Sequence, residues 1–168
     1  MFSFRYPLML IGLASLLACA SQPATDPGVI DAPALHAQWW RTDFYGYDSA
    51  HYRLRHRLGP PEQDELGVEL EYGASGPDFR GVEWPGSGVK PVEVQEHSAD
   101  RCQVFGSLQS RCLYHDVVKV VLPPELLEHS RQSGLSLDLL GKSGGRRTLS
   151  LPGDYIGELL RAWGSVHQ

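Results

Sequence analysis

"YRLRHRL" (residues 52–58), followed after "GPPEQDE" (59–65) by "LGVELEY" (66–72), is the stretch whose reading decides the fold. Tyr52, Leu54, His56 and Leu58 alternate with Arg53, Arg55 and Arg57, and Leu66, Val68, Leu70 and Tyr72 alternate with Gly67, Glu69 and Glu71. A period of two sends successive side chains to opposite faces, so each run reads as a strand with one apolar and one charged face. Gly59, Pro60 and Pro61 require a loop between them.

An antiparallel pairing with Leu58 opposite Leu66 is expected from this pattern. It sets Arg55 against Glu69 and Arg53 against Glu71, and leaves Arg57 against Gly67. Opposite charges across strands contribute roughly 0.2–1 kcal/mol per pair. The arginine row therefore reads as one side of a charge ladder before it reads as a site for lipid phosphates. His56 shares the apolar face, as a core histidine, and His51 falls on the opposite one.

Toward the C-terminus, "DVVKVVLP" (116–123) is nearly continuous and β-branched, which predicts a central strand covered on both faces. "PPELLEHSRQSG" (123–134) predicts a short helix, with Pro123 and Pro124 at its start and Gly134 as its stop. "LSLDLLG" and "RRTLSLP" flank "KSGG" as a hairpin. In "GDYIGELLRAWGSV" (153–166), Ile156, Leu159, Leu160 and Trp163 recur at helical spacing, an apolar stripe that needs a sheet to cover. The expectation is an α+β fold: a mostly antiparallel sheet with two C-terminal helices packed on one face.

Toward the N-terminus, Arg5 precedes an apolar run from Pro7 to Leu17 that ends at Ala18-Cys19. This has the length and order of a secretory signal, whereas a membrane-spanning helix needs about 20 apolar residues. Its end, Leu16-Leu17-Ala18-Cys19, resembles the lipobox of bacterial lipoproteins. The resemblance implies that the Cys19 thiol takes a diacylglycerol, that residues 1–18 are removed, and that acyl chains hold the product on a membrane. Ala20 and Ser21 follow where an aspartate would mark inner-membrane retention, so the resemblance implies an outer-membrane protein facing the periplasm. The alternative is an ordinary signal peptide cut after Ala18 or Ala20. Residues 19–37, with Pro23, Pro27 and Pro33, are expected as a tether, and 38–168 as a single periplasmic domain.

Export leaves Cys102 and Cys112 as an even pair in an oxidising compartment, and "QVFGSLQSR" between them suits a turn, so a disulfide stapling a loop or hairpin is expected. The alternative is a zinc site of His97, Cys102, Cys112 and His115, although only Cys112 and His115 are closely spaced. No metal or other cofactor is expected.

Without residues 1–18 the chain has 14 Lys and Arg against 20 Asp and Glu, a net −6, which argues against nucleic-acid binding. "GKS" (141–143) lacks the preceding glycine of a phosphate loop, since Ser136 stands there, and "PGSG" (85–88) lacks the spacing of a nucleophile elbow. No catalytic set is read, so a non-enzymatic role is expected. "QWWRTDFYGYD" (38–48) concentrates Trp39, Trp40, Phe44, Tyr45 and Tyr47, either as core, with Leu35 and Trp39 at helical spacing, or as a surface that stacks on sugars. Trp39, Trp40, Tyr45 and Tyr47 are the candidate binding residues. The leading reading is a lipid-anchored envelope lipoprotein that binds an envelope protein or glycan. The alternatives are a lipid-anchored peptidoglycan hydrolase and a periplasmic zinc-binding domain.

Overall fold

A computed structural model describes residues 28–41, 46–73, 78–105, 109–142 and 144–166. In chain order these form β1 (Val29–Asp31), β2 (Leu35–Arg41), β3 (Gly46–Arg57), β4 (Gln63–Gly73), β5 (Phe79–Glu83), β6 (Lys90–Pro91), β7 (Glu93–Phe105) and β8 (Gln109–Leu122). Helix α1 (Pro124–Ser130), hairpin strands β9 (Leu135–Gly141) and β10 (Arg146–Leu151), and helix α2 (Gly153–Val166) follow. One sheet runs β1-β3-β4-β8-β7, with β2 also pairing with β3, and a second runs β10-β9-β5-β6. Every pairing among the described residues is antiparallel. The fold is thus mostly antiparallel sheet with two helices, of which only α2 is C-terminal.

The alternation in 52–58 and 66–72 does what the pattern requires. Tyr52, Leu54, Leu66, Val68, Leu70 and Tyr72 are buried, and together with Val118, Val120 and Leu122 of β8 they form the inner face of the first sheet. Leu137, Leu139, Leu149 and Leu151 of the second sheet, and Ile156 and Trp163 of α2, belong to the same core. Tyr52 fastens the two sheets by donating its hydroxyl to the Ser150 carbonyl at 2.9 Å. From α2, the Tyr155 hydroxyl accepts from the Leu54 amide at 3.3 Å and donates to the Pro33 carbonyl at 2.9 Å. The second sheet therefore covers much of the inner face that the sequence pattern assigned to helices.

The expected β3–β4 register is corrected. Leu66 lies opposite Leu54, not Leu58, and the ladder runs on to Arg57 opposite Gln63. The slip is four residues, an even number, so every side chain keeps its face while every partner changes. Arg55 is opposite Glu65 and Arg53 is opposite Gly67; the expected Arg55–Glu69 and Arg53–Glu71 pairs do not form as drawn. Instead Arg53 reaches Glu69 diagonally at 4.0 Å, Arg55 meets Asp31 of β1 at 3.0 Å, and Arg57 meets Glu65 at 3.3 Å. A Cβ on Gly67 would stand 3.1 Å from the Arg55 guanidinium carbon, so the missing side chain makes the room in which Arg55 crosses the strand.

Three other expectations change. The tether boundary moves: Val29–Asp31 and Leu35–Arg41 both pair along β3, so residues from 28 onward belong to the sheet. Pro33, which suggested a linker, falls in the gap between these two edge strands, where no ladder amide is needed. Leu35 and Trp39 share a face by strand alternation with Ala37, not by helical spacing. Finally, β8 is covered on one face only: Val118, Val120 and Leu122 are buried, while Val121 is exposed. The helix–hairpin–helix order after β8 is as expected, with Pro124 in the first turn of α1 and Gly134 at φ 78° after its end.

Candidate functional site

Adjacent residues of a strand cannot share a face, so β2 splits the tryptophan pair. Trp39 turns inward, where the Arg147 guanidinium lies 5.9 Å from its ring centroid. Arg147 also donates to Asp48 at 2.6 Å, and Asp48, which is buried, accepts the Gly73 amide at 3.2 Å. Trp39 is therefore part of the packing between the two sheets. Trp40 turns outward and meets Tyr47, its directly opposed partner on β3. The rings are near perpendicular with centroids 5.0 Å apart, a favoured aromatic arrangement, and the residues are 55% and 56% exposed. Tyr45 and Phe44 lie outside the described residues.

The same outer face continues down the β2–β3 hairpin as Gln38 opposite Ser49 and then His36 opposite His51. Glu71 and Glu69 of β4 stand beside Ser49 and His51. An exposed aromatic pair thus tops a column of hydrogen-bonding side chains. Large aromatic surface left in water without a covering element marks a contact face more often than a fold requirement.

The inner face carries polar groups at both of its ends. At one end His56 lies opposite Asp64, with Nδ1 2.8 Å from Oδ1, and the Trp163 ring of α2 stacks on the imidazole at 5.0 Å. At the other, His97 lies opposite Asp116 with Nδ1 2.6 Å from Oδ1, and Tyr72 donates its hydroxyl to Oδ2 at 2.8 Å. Burial, then the hydrogen bond to Asp116 and its charge, push the Tyr72 hydroxyl above the ordinary tyrosine range. The Tyr114 ring stacks on both Tyr72 and His97.

Cys102 and Cys112 are directly opposed on the β7–β8 hairpin and joined as a disulfide, with Cα atoms 4.0 Å apart. That removes the four-residue zinc set, because both thiols are consumed. His97 is in addition held by Asp116, and His115 precedes Asp116 on β8 and so faces the other way. Ser87 of "PGSG" is occupied within its own turn, its Oγ accepting the Trp84 amide at 3.0 Å and donating to the Trp84 carbonyl at 2.9 Å.

A cleft of about 580 Å³ opens between the β3–β4 loop and the end of β8, walled by Pro61, Asp64, Trp84, Lys90, Val121 and Pro124. Sequence reasoning passed over it. Its only trace there is two Pro-Pro steps, Pro60-Pro61 and Pro123-Pro124, which become neighbours only after folding. Cys19 and residues 1–18 lie outside the described residues. Among the described residues no helix is long and apolar enough to cross a membrane. No family model, curated protein or solved structure matches the chain.

Proposed function

We propose that the chain is an outer-membrane lipoprotein, anchored through acyl chains on Cys19, whose periplasmic body is a non-catalytic binding module for an envelope glycan. The Trp40–Tyr47 pair carries this reading. A sugar presents an apolar C–H face ringed by hydroxyls. Exposed aromatic rings beside Gln38, Ser49 and Glu71 offer the matching combination of stacking surface and hydrogen-bonding groups. With the second sheet and both helices packed on the inner side, the aromatic face stays open to a long polymer. The lipobox resemblance, Leu16 to Cys19, and a disulfide suited to an oxidising compartment support the envelope setting. With the sheet starting at Val29, the tether contracts to residues 20–27, whose covalent reach is at most about 26 Å.

The buried carboxylates support a binding role over the hydrolase alternative. Asp48, Glu65 and Asp116 are each engaged by a cation or a hydroxyl donor, which suits structural work better than acid–base exchange with a substrate.

The test uses the full chain purified in detergent. It should co-sediment with isolated peptidoglycan or bind lipopolysaccharide, and Trp40→Ala and Tyr47→Ala should each weaken that binding at least about tenfold, within the roughly 1–3 kcal/mol that stacking a nucleobase on an aromatic side chain supplies. Unchanged binding in both variants, or retention of a crosslinked envelope protein in place of glycan, sinks the glycan reading. Growth on labelled palmitate reads the anchor separately: the label should enter the wild type and be lost in Cys19→Ala.

A further inference from the structure

We propose that His36 and His51 form a chelating pair for a late first-row divalent ion, copper(II) first in affinity, on the outer face of the β2–β3 hairpin. The two residues are directly opposed across the strands, and their rings lie 4.7 Å apart at an interplanar angle of 37°. Both are exposed. Opposed side chains of an antiparallel pair leave Cβ atoms about 4.5–5.5 Å apart, close enough for two imidazoles to offer one nitrogen each to a single ion.

What separates this pair from His56, His97 and His129 is its lack of hydrogen bonds; His115 also has none among the described residues, but its directly opposed neighbours are Glu71 and Ser98, not a second imidazole. His56 and His97 are held by Asp64 and Asp116, and His129 by the Glu125 carbonyl at 2.6 Å. Among the described residues His36 and His51 make no hydrogen bond or ion pair and their rings meet each other, so their nitrogens remain open to water or to a ligand. Two adjacent imidazoles repel when both are protonated, whereas a metal ion turns the same closeness into attraction. The charged groups around them are Arg53 on β3 and Glu69 and Glu71 on β4, with Glu69 directly opposite His51. Their sum is one negative charge, which favours a bound cation.

A two-nitrogen site completed by water suits ions that accept tetragonal coordination, and imidazole binds copper(II) most strongly in the usual divalent order. Structural zinc, by contrast, takes four protein ligands. The pair lies two and four residues along β2 from Gln38 and Trp40, so the metal proposal stands apart from the glycan reading.

The experiment titrates copper(II) into the full, untagged chain in detergent, followed by calorimetry and by electron paramagnetic resonance. One equivalent should bind with a spectrum showing two nitrogen ligands. His36→Gln and His51→Gln should each reduce the signal to one nitrogen and weaken binding by at least about tenfold, comparable to the loss of a supporting contact at a metal centre. His97→Gln, and the Trp40→Ala/Tyr47→Ala double variant, should bind as the wild type does. A one-nitrogen spectrum in the wild type, or equal loss in His97→Gln and His51→Gln, overturns the pair. Circular dichroism on each variant separates loss of the site from loss of the fold.

Discussion

The inner face of the first sheet holds the same chemical pair twice, and the two copies are closed to different degrees. His56–Asp64 and His97–Asp116 are both directly opposed across antiparallel strands with Nδ1 against Oδ1. Measured along β4, from Asp64 to Leu70 beside Asp116, they stand six residues apart, roughly 20 Å. At the first, both side chains are nearly covered, 12% and 10% exposed, because Trp163 lies flat on the imidazole. At the second, Asp116 is 1% exposed but His97 is 45% exposed, although the Tyr114 ring stacks beside it. The lesson is one of support. A buried carboxylate needs donors, and where no aromatic lid closes the pair a second donor, Tyr72, makes up the difference.

Removing the lid should break the contrast most severely. Trp163→Ala is expected to cost about 3–5 kcal/mol, the range for deleting a buried tryptophan side chain. It should also make His56 as reactive as His97 toward an imidazole-modifying reagent, followed peptide by peptide in a mass spectrometer. Trp163→Phe should cost much less, because the Trp163 Nε1 is buried with no hydrogen-bond partner among the described residues, so a phenyl ring keeps the stack and drops an unsatisfied donor. If Phe costs as much as Ala, stacking is not what closes this end.

At the open end, Tyr72→Phe should cost about 1.5–3 kcal/mol, the value of a hydrogen bond to a charged group. The hydroxyl also gives this end an alkaline limit. Folding raises its pKa, so the folded state prefers the neutral phenol more than the unfolded chain does. That contribution is complete below about pH 10, the ordinary tyrosine value, and is lost progressively as the pH climbs from there toward the higher folded value. Tyr52 and Tyr155 are raised for the same first reason, burial. Ultraviolet titration should therefore show Tyr52, Tyr72 and Tyr155 ionising late, and Tyr72→Phe should flatten the fall in stability above pH 10. A titration in which all of the tyrosines ionise together near pH 10 contradicts this.

How much of this was legible beforehand follows from what each feature depends on. The faces of β3 and β4 were readable because alternation is a local property, and an even slip leaves it intact. Their register was not, because Arg55 is claimed by Asp31, 24 residues earlier on another strand, and Glu65 by Lys119 at 3.9 Å as well as by Arg57. β1 and β2 were obscured by Pro33, since a proline between two short edge strands looks like a proline in a linker. That one of the two adjacent tryptophans must face outward was readable. That Trp40 finds Tyr47 was not, because the meeting depends on how β2 aligns with β3. Neither His–Asp pair was visible, since each joins residues whose meeting is itself a register.

The outer face supplies the third and most open member of the series, and with it the smallest expected effect. Arg53 and Glu69 are also a cross-strand pair of opposite sign, but their nitrogen and oxygen stand 4.0 Å apart and their side chains are 29% and 47% exposed. Water screens each charge in the folded protein nearly as well as in the unfolded chain, and holding two long side chains together costs entropy. The coupling energy from a double-mutant cycle with Arg53→Gln and Glu69→Gln should therefore be about 0–1 kcal/mol and shrink further in salt. The same cycle on Tyr72→Phe and Asp116→Asn should give a larger coupling that salt barely changes, because burial shields that contact from counterions. Equal couplings at the two places would mean that burial is not what distinguishes the inner pairs from the outer ladder.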